Sequence, residues 1–210
     1  MAQAVKRGAF ILIEGLDRCG KSTQTRMLAQ HLSESGRRAE LIGFPDRSTS
    51  TGKLIDAHLT RQSRVGDVRA LHLLFASNRW ERKAHIEETL VAGGSIVCDR
   101  YSFSGVAYSA AQGLDVQWCW MPERGLPAPD LVIFLELSAE AAKLRGGYGD
   151  EIYEKVEFQR KVAQAFGELK TPAWRVIDAG RDLDSVFADV RAAADETLAA
   201  CADTPVQYMQ

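Results

Sequence analysis

The sequence has few cysteines and no long apolar run. Its cysteines, Cys19, Cys98, Cys119 and Cys201, stand far apart and form no Cys-x-x-Cys pair. This usage is typical of reduced thiols rather than of a disulfide framework. No stretch approaches the roughly 20 apolar residues that a membrane span needs, and residues 1–8 lack the apolar segment of a signal peptide. We therefore expect a cytoplasmic protein with no membrane partner.

The sequence also lacks an excess of charge of one sign. It has 26 basic and 28 acidic residues, so its formal net charge is −2. Without a global basic excess, nucleic acid is not an expected partner. The four histidines show no metal-ligand spacing, which argues against a zinc site. Any binding of anions must therefore depend on local clusters of basic residues.

What the sequence does have is an alternation of strand-length and helix-length segments. The apolar runs are Ala9–Ile13, Ala39–Phe44, Ser95–Cys98, Leu131–Leu137 and Trp174–Ile177. Their continuous apolar character predicts strands that are buried on both faces, as in a parallel sheet. Helical patterns cover Lys21–Ser35, Val68–Leu90 as one long or two shorter helices, Val156–Leu169 and Leu183–Ala199. This order predicts a doubly wound α/β domain over residues 1–210, with a five-stranded parallel sheet flanked by helices.

One motif points directly to phosphate binding. Gly15–Ser22 matches G-x-x-x-x-G-K-[ST], and it lies between a predicted strand and a predicted helix. In that position the glycines let backbone N–H groups turn toward a phosphate, and the helix N-terminus adds partial positive charge. Lys21 would bridge the β- and γ-phosphates of a nucleotide, and Ser22 would offer its hydroxyl to Mg²⁺. The segment predicts a nucleoside triphosphate site.

Two charged residues near this loop have two interpretations each. Arg18 lies inside the loop, where it would stabilise charge on a transferring phosphoryl group or would be a solvated loop charge. Asp99 ends the third apolar run, where it would hold Mg²⁺ directly or through water, or would form a structural pair with Arg100.

Three further clusters follow or face the predicted strands. They are Phe44–Thr49 after the second strand, Phe75–Trp80 on a helix, and Asp99–Tyr108 after the third strand. Phe75 and Arg79 are four residues apart, so they share a helix face. Ligands of open α/β sheets bind outside the carboxyl ends of the strands. We therefore expect all three clusters to converge near the phosphate loop.

Five segments together resemble the thymidylate kinase family of the nucleoside monophosphate kinases. They are EGLDRCGKST (Glu14–Thr23), FPDRST (Phe44–Thr49), LLFASNRWE (Leu73–Glu81), DRYSFSGVAYS (Asp99–Ser109) and GLPAPDLVIFL (Gly125–Leu135). The resemblance implies Mg²⁺-dependent transfer of a phosphoryl group from ATP to dTMP, a phosphate-loop kinase fold, a mobile lid at about 143–154, and a homodimer. Arg18 in the phosphate loop resembles the eukaryotic-type class.

The resemblance also implies roles for individual residues. Phe44 and Phe75 would contact thymine, and Arg79 would donate to thymine O4. The catalytic residues would be Lys21, Arg18, Arg100 and Asp99, with Ser22 and Asp99 at the metal. The ATP-binding residues would be Gly15, Arg18, Cys19, Gly20, Lys21, Ser22, Thr23 and Arg145. The remaining acceptor-binding residues would be Pro45, Ser104, Gly105 and Gln159, with Arg47 and Arg100 on the phosphate, Asp17 on the 3′-hydroxyl, and Tyr108 and Tyr153 at the sugar.

Other functions remain as alternatives. Another nucleoside monophosphate kinase or a deoxynucleoside kinase would share the phosphate loop, but a deoxynucleoside kinase needs a base near the 5′-hydroxyl. Arg47 and Arg100 favour a charged acceptor instead. A guanine-specific switch should show Asn-Lys-x-Asp, which the sequence lacks. An inactive binding module would not require the intact Gly20-Lys21-Ser22 and Asp99-Arg100 groups.

Overall fold

The computed structural model describes residues 6–145, 152–153 and 155–210. The strands are β1 (Phe10–Gly15), β2 (Ala39–Gly43), β3 (Ser95–Asp99), β4 (Leu131–Glu136) and β5 (Arg175–Asp178). The helices are α1 (Lys21–Glu34), α2 (Ser50–Leu59), α3 (Val68–Trp80), α4 (Lys83–Val91), α5 (Ser102–Ala110), α6 (Val116–Trp120), α7 (Ala139–Lys143), α8 (Val156–Leu169) and α9 (Leu183–Cys201). A short 3-10 helix covers Met121–Glu123.

The strands form one five-stranded sheet in the order β2-β3-β1-β4-β5. All neighbouring strands are parallel, and the central strand β1 pairs with both β3 and β4. Helices connect the strands, as parallel neighbours require. The predicted α/β class and the five-stranded parallel sheet are therefore confirmed.

Burial separates the central strands from the edge strands. Every residue of β1 is buried, whereas Leu41 in β2 is 42% exposed and Val176 in β5 is 44% exposed. The prediction that all five strands are buried on both faces is therefore wrong for β2 and β5. Each of these strands lies at an edge of the sheet, so it has a neighbouring strand on one side only.

The sheet divides the core into two layers. Phe10 and Leu12 pack on one side, together with Phe166 of α8. Ile11 and Ile13 pack on the other side, against α1 and α9. This alternation follows from the two-residue period of a strand. It anchors β1 from both sides, so the loop that follows β1 starts from a fixed position.

Helix boundaries depend on local capping. The predicted segment Val68–Leu90 forms two helices, and Asp67 caps the first by accepting from Arg69 N at 2.8 Å and Ala70 N at 3.0 Å. The helical patterns of the sequence do not predict α2, α6 and α7. They are at most ten residues long, which is too short for a clear helical period. Each is capped by a side chain, from Thr49, Asp115 and Ser138 respectively.

The four cysteines are free and buried. Among the described residues, no helix combines the length and the hydropathy needed to cross a membrane.

Candidate active site

The phosphate loop, Gly15–Ser22, connects β1 to α1. Gly15 and Gly20 have φ angles of 147° and 104°, which non-glycine residues rarely adopt. A Cβ on Gly15 would lie 2.6 Å from Leu135 O, so the loop packs closely against β4. Lys21 is almost fully buried, and its Nζ donates to Leu16 O at 2.6 Å. The loop therefore wraps around the lysine at the N-terminus of α1, as an anion-binding loop requires.

Asp99 and Ser22 form a site that fits a divalent cation. Ser22 Oγ donates to Asp99 Oδ2. Asp99 Oδ1 is buried and has no hydrogen-bond partner among the described residues. A carboxylate oxygen and a hydroxyl are ligands that Mg²⁺ prefers, with the remaining ligands supplied by phosphate and water. No cluster of three or more His, Cys, Asp or Glu residues that could hold a metal occurs in the described part of the chain.

Arg100 follows Asp99 but points to other partners. Its Nη1 donates to Ser104 Oγ at 3.1 Å and its Nη2 pairs with Asp17. The guanidinium also lies 5.3 Å from the centre of the Tyr108 ring. Burial disfavours the charged form, but the groups around it, Asp17 among them, hold the pKa of Arg100 above its ordinary value. The guanidinium hydrogen-bonds to Asp17 and Ser104 rather than to Asp99.

The buried carboxylate of Glu14 binds the segment that follows Arg100. Glu14 accepts from Tyr101 N and Ser104 N, each at 3.0 Å, and from Ser104 Oγ. These bonds satisfy backbone donors at the start of α5. Burial raises the pKa of Glu14, although its hydrogen bonds to Ser104 and the charge of Arg100 oppose the increase. Glu14 thereby links β1 to the segment that carries Arg100 and Ser104.

Asp17 is held on its other side by Gln159 of α8. Gln159 Oε1 accepts from Asp17 N at 3.1 Å, and Gln159 Nε2 donates to Asp17 Oδ2 at 2.7 Å. The same Nε2 lies 3.1 Å from Tyr153 O and 3.4 Å from the Tyr108 hydroxyl. Because Gln159 is 1% exposed, it acts on the site through Asp17 and the two tyrosines.

Arg79 lies in a deeper part of the site. It is 2% exposed, and it forms a two-pronged ion pair with the fully buried Glu123. Its Nε donates to Glu123 Oε2 at 2.7 Å. A Cβ on Gly105 would lie 2.5 Å from Arg79 Nη2, so a side chain at this position would require the guanidinium to shift. Glu123 and Gly105 thus fix the plane of the Arg79 side chain.

The segment Phe44–Thr49 is tied to α3 through Asn78. Asp46 N donates to Asn78 Oδ1 at 2.7 Å, and Asn78 Nδ2 donates back to Asp46 O at 3.1 Å. Arg47, the next residue, pairs with Asp56 of α2 and is partly exposed. Asn78 therefore sets the position of Phe44 and Arg47 relative to Arg79 on the same helix.

Arg145 contacts the phosphate loop although it lies far from that loop in the sequence. Its Nη1 donates to Arg18 O at 3.2 Å and its Nη2 donates to Ala179 O at 2.7 Å. Arg18 has a φ of 63°, which turns its backbone into the left-handed region. Of the predicted lid at 143–154, residues 146–151 and 154 lie outside the described residues.

One cleft of about 740 Å³ collects most of these side chains. The predicted site residues that line it are Asp17, Arg18, Gly20, Lys21, Ser22, Thr23, Phe44, Pro45, Arg47, Phe75, Arg79, Asp99, Arg100, Ser104, Gly105, Tyr108, Arg145 and Tyr153. Gly15, Cys19 and Gln159 do not line it. Cys19 belongs to the loop, but its side chain is buried, and its Sγ would lie 2.7 Å from a Cβ on Gly15.

Several residues of the site are not among those that the sequence predicts. Leu59, Leu71, Tyr101, Ser109 and Gln112 also line the cleft. Tyr101 and Ser109 belong to the DRYSFSGVAYS segment, so that motif contained a signal for them. Glu14 and Glu123 lie behind the lining and were also missed. The sequence does contain a signal for each. Glu14 is an acidic residue next to an apolar run, and Glu123 is an acidic residue in a proline-rich segment.

Fold and site together define a phosphate-loop protein with the architecture of the nucleoside monophosphate kinases. The family model described as thymidylate kinase matches residues 13–190. The chain is 42% identical over 207 residues to the thymidylate kinase of Homo sapiens, and the match covers 97% of each chain. It is 48% identical over 193 residues to that of Dictyostelium discoideum, which covers 91% of this chain and 86% of the relative.

A solved structure agrees with these sequence matches. The structure of thymidylate kinase from Candida albicans superposes with a TM-score of 0.88 at 39% identity, over 97% of this chain and 99% of that one. The chain therefore belongs to the thymidylate kinase family.

Proposed function

We propose that this protein transfers the γ-phosphoryl group of ATP to dTMP and so forms ADP and dTDP. The observation that carries the proposal is that one cleft is lined both by the phosphate loop and by Phe44, Phe75 and Arg79. A donor nucleotide on the loop and an acceptor nucleotide among these side chains would share one space. Family membership supports the same reaction.

The reaction needs alignment and neutralisation of charge rather than a general base. A phosphate monoester has a second pKa near 6 and is mostly dianionic at pH 7. Lys21 and Arg18 would offset charge on the donor phosphates, and Arg100 would hold the acceptor phosphate. Arg47 also lines the cleft and would bind the same phosphate.

Ser22 and Asp99 would hold Mg²⁺. Asp99 Oδ1, which is buried and has no hydrogen-bond partner in the described part of the chain, lies on the carboxylate that accepts from Ser22, and this supports the assignment over a purely structural role. When bound, the cation would offset charge on the donor phosphates.

The acceptor would be recognised by ring contacts and by polar groups. Phe44 and Phe75 would contact thymine, and Arg79 would donate to O4, which suits a carbonyl and meets the amino group of cytosine badly. Tyr108 and Tyr153, whose ring centres lie 5.7 Å apart, would pack on the deoxyribose. Asp17 would accept from the 3′-hydroxyl while Gln159 holds it in place.

On the donor side, the residues that would bind ATP are Gly15, Arg18, Cys19, Gly20, Lys21, Ser22, Thr23 and Arg145. Arg145 lies beside the loop because it donates to Arg18 O. Residues 143–154 would form the lid that excludes water, within a single domain of residues 1–210.

The decisive assay measures ADP release with dTMP, with thymidine and with no acceptor. We expect release that depends on dTMP and not on thymidine. Equal release with thymidine would favour a deoxynucleoside kinase, and equal release without acceptor would favour a hydrolytic switch. dCMP and dGMP serve as controls for another nucleoside monophosphate kinase.

We further propose a homodimer in the cytoplasm. Leu73 and Trp80 are exposed on one face of α3, and Leu54 is 59% exposed on α2, which packs against α3. Exposed apolar side chains grouped in this way are typical of an association surface. Leu73→Glu should yield monomers in sedimentation experiments, whereas the matched change Val91→Glu on α4 should leave the dimer intact. A monomeric unmodified protein would refute this assembly.

A further inference from the structure

The segment 205–210, which follows α9, pairs with the loop that leads into β4. Met209 exchanges two backbone hydrogen bonds with this loop. Its O accepts from Gly125 N at 3.0 Å, and its N donates to Leu126 O at 2.8 Å. The Met209 side chain is partly buried against the core layer that contains Phe10. The segment is therefore attached to the loop by its backbone and to the core by a side chain.

The rest of the pairing has the geometry of an antiparallel bridge. Pro127 lies opposite Tyr208, and Ala128 N donates to Gln207 O at 2.8 Å. In an antiparallel pair alternate residues make no ladder bonds, so a proline is tolerated opposite Tyr208. The Tyr208 ring also lies 5.2 Å from Lys83 Nζ at the start of α4. The segment therefore binds the loop in a defined register rather than through loose side-chain packing.

The loop has few backbone donors of its own. Residues 121–130 contain three prolines, which have no N–H group to donate. Gly125 and Ala128 both donate their N–H groups to the segment, whereas Leu126 N donates to Glu123 O at 3.2 Å. Without the segment, two of these three donors would lose their partners, and the turn that begins at Glu123 would lose its support.

Glu123 connects this loop to the cleft. It is fully buried, and both of its carboxylate oxygens bind the guanidinium of Arg79. Arg79 lines the cleft, whereas Glu123 and the segment 205–210 do not. The contacts that lead from the segment to the cleft therefore run through Leu126, Glu123 and Arg79 in that order.

We infer that the segment 205–210 is a positioning element for base recognition. It holds the turn at Glu123 and thereby keeps the Arg79 guanidinium in the plane that meets the base. A guanidinium bound by two parallel hydrogen bonds directs its remaining N–H groups one way. If the turn moves, Arg79 keeps its charge but loses that direction. The inference rests on the proposed contact of Arg79 with thymine O4, and it extends base selection to residues outside the cleft.

The test measures kcat and KM for dTMP and dCMP in a chain that lacks residues 205–210 and in Met209→Pro. Proline removes the N–H that donates to Leu126, and Tyr208 already has the extended backbone that suits a residue before proline. Both variants should lower kcat/KM for dTMP about tenfold, because a hydrogen bond from a charged donor is weakened. The change should lie mainly in KM, since this contact is made before and during the reaction alike.

Two ratios show whether the change is confined to the base. Cytosine has no carbonyl at C4, so kcat/KM for dCMP does not depend on the Arg79 contact. The dTMP/dCMP ratio of kcat/KM should therefore fall about tenfold in both variants, whereas KM for ATP should stay at its original value. An unchanged dTMP/dCMP ratio in the shortened chain would overturn the inference while leaving the proposed function intact.

Two controls separate the backbone bonds from other effects of substitution. Met209→Ala removes most of the side chain but keeps the N–H group. Gln210→Pro introduces the same proline one residue later, at an N–H group that has no partner among the described residues. Both should keep the dTMP/dCMP ratio of the parent. An equal fall in either control would mean that the backbone bonds of Met209 do not position Arg79, and would overturn the inference.

The path through Glu123 is tested by removing both members of the buried pair. In Arg79→Met with Glu123→Leu, loss of the segment 205–210 has no guanidinium to misplace. The dTMP/dCMP ratio should then be the same with and without the segment, although a general loss of stability would add to the first change. A further fall in this background would show that the segment acts by another path.

Amide exchange tests the pairing without the reaction. Leu126 N–H donates to Glu123 rather than to the segment, so it reports on the turn itself. Its exchange at pH 7, followed by NMR, should be about tenfold faster in Met209→Pro than in Met209→Ala. Equal rates would overturn the inference even in an active enzyme. A parent protein that does not phosphorylate dTMP would instead overturn the proposed function, together with the role in base selection, whatever the exchange rates are.

Discussion

Breaking the pair between Arg79 and Glu123 should cost far more stability than breaking a surface pair. The two side chains are 2% and 0% exposed, so water does not compensate a missing partner. In Glu123→Gln the Arg79 charge stays buried without its counter-ion. Removing one partner of such a pair costs about 3–5 kcal/mol.

The matched control is Glu196→Gln. Glu196 pairs with Arg175 at 2.8 Å, and the two side chains are 66% and 53% exposed. Exposed pairs contribute about 0–1 kcal/mol, so this change should barely move the unfolding midpoint. Replacing both buried partners, as in Arg79→Met with Glu123→Leu, should recover much of the loss, since no charge then remains unpaired.

The assay is urea unfolding at pH 7, followed by circular dichroism, for the parent and all three variants. A loss of 3–5 kcal/mol is a large part of the roughly 5–15 kcal/mol that stabilises a typical domain. If Glu123→Gln costs no more than Glu196→Gln, the pair does not hold a desolvated charge, and Glu123 does not orient Arg79.

Three further substitutions test the site. Arg18→Gly should reduce kcat about 10³-fold or more with little change in binding, if this residue acts as an arginine supplied within the chain; a loss below tenfold would make it a loop charge. Gly105→Ala should raise KM for dTMP, because its Cβ would lie 2.5 Å from Arg79 Nη2; an unchanged KM would mean that the guanidinium moves freely. Tyr108→Ala should raise kcat/KM for ribo-TMP relative to dTMP, by an amount worth about 1–3 kcal/mol; a constant ratio would place sugar selection elsewhere.

The sequence predicts those parts of the site that local motifs encode. Gly15–Ser22 could be placed because strand, loop and helix follow one another directly in the chain. Asp99 and Arg100 could be placed because they end a buried strand, whose carboxyl end lies at the binding edge of the sheet. The central strands were predicted for the same reason, since a continuous apolar run is a local signal.

The remainder depends on contacts between distant parts of the chain. Glu123 meets Arg79 across 44 positions, and Ser109 meets His72 across 37. No spacing rule links these pairs, because the packing of α3, α5 and the 3-10 helix creates them. The interpretation of Asp17 was limited in the same way. The resemblance to thymidylate kinases implies that Asp17 contacts the sugar. Its pairing with Arg100 depends on the fold, because the two residues are far apart in the sequence.

The sheet register ties the two halves of the site to each other. Ile13 of β1 pairs with Asp99 of β3, and β1 continues two residues further to Gly15, so Arg100 leaves its strand near the start of the phosphate loop. A slip of one residue would move Arg100 by about 3.3 Å along the strand. Misplacement of reacting groups by about 1 Å can cost 10²-fold in rate. The buried alternation of Phe10, Ile11, Leu12 and Ile13 prevents that slip, because it would turn each side chain toward the opposite core. The relative position of the phosphate loop and Arg100 is therefore set by apolar residues that do not line the cleft.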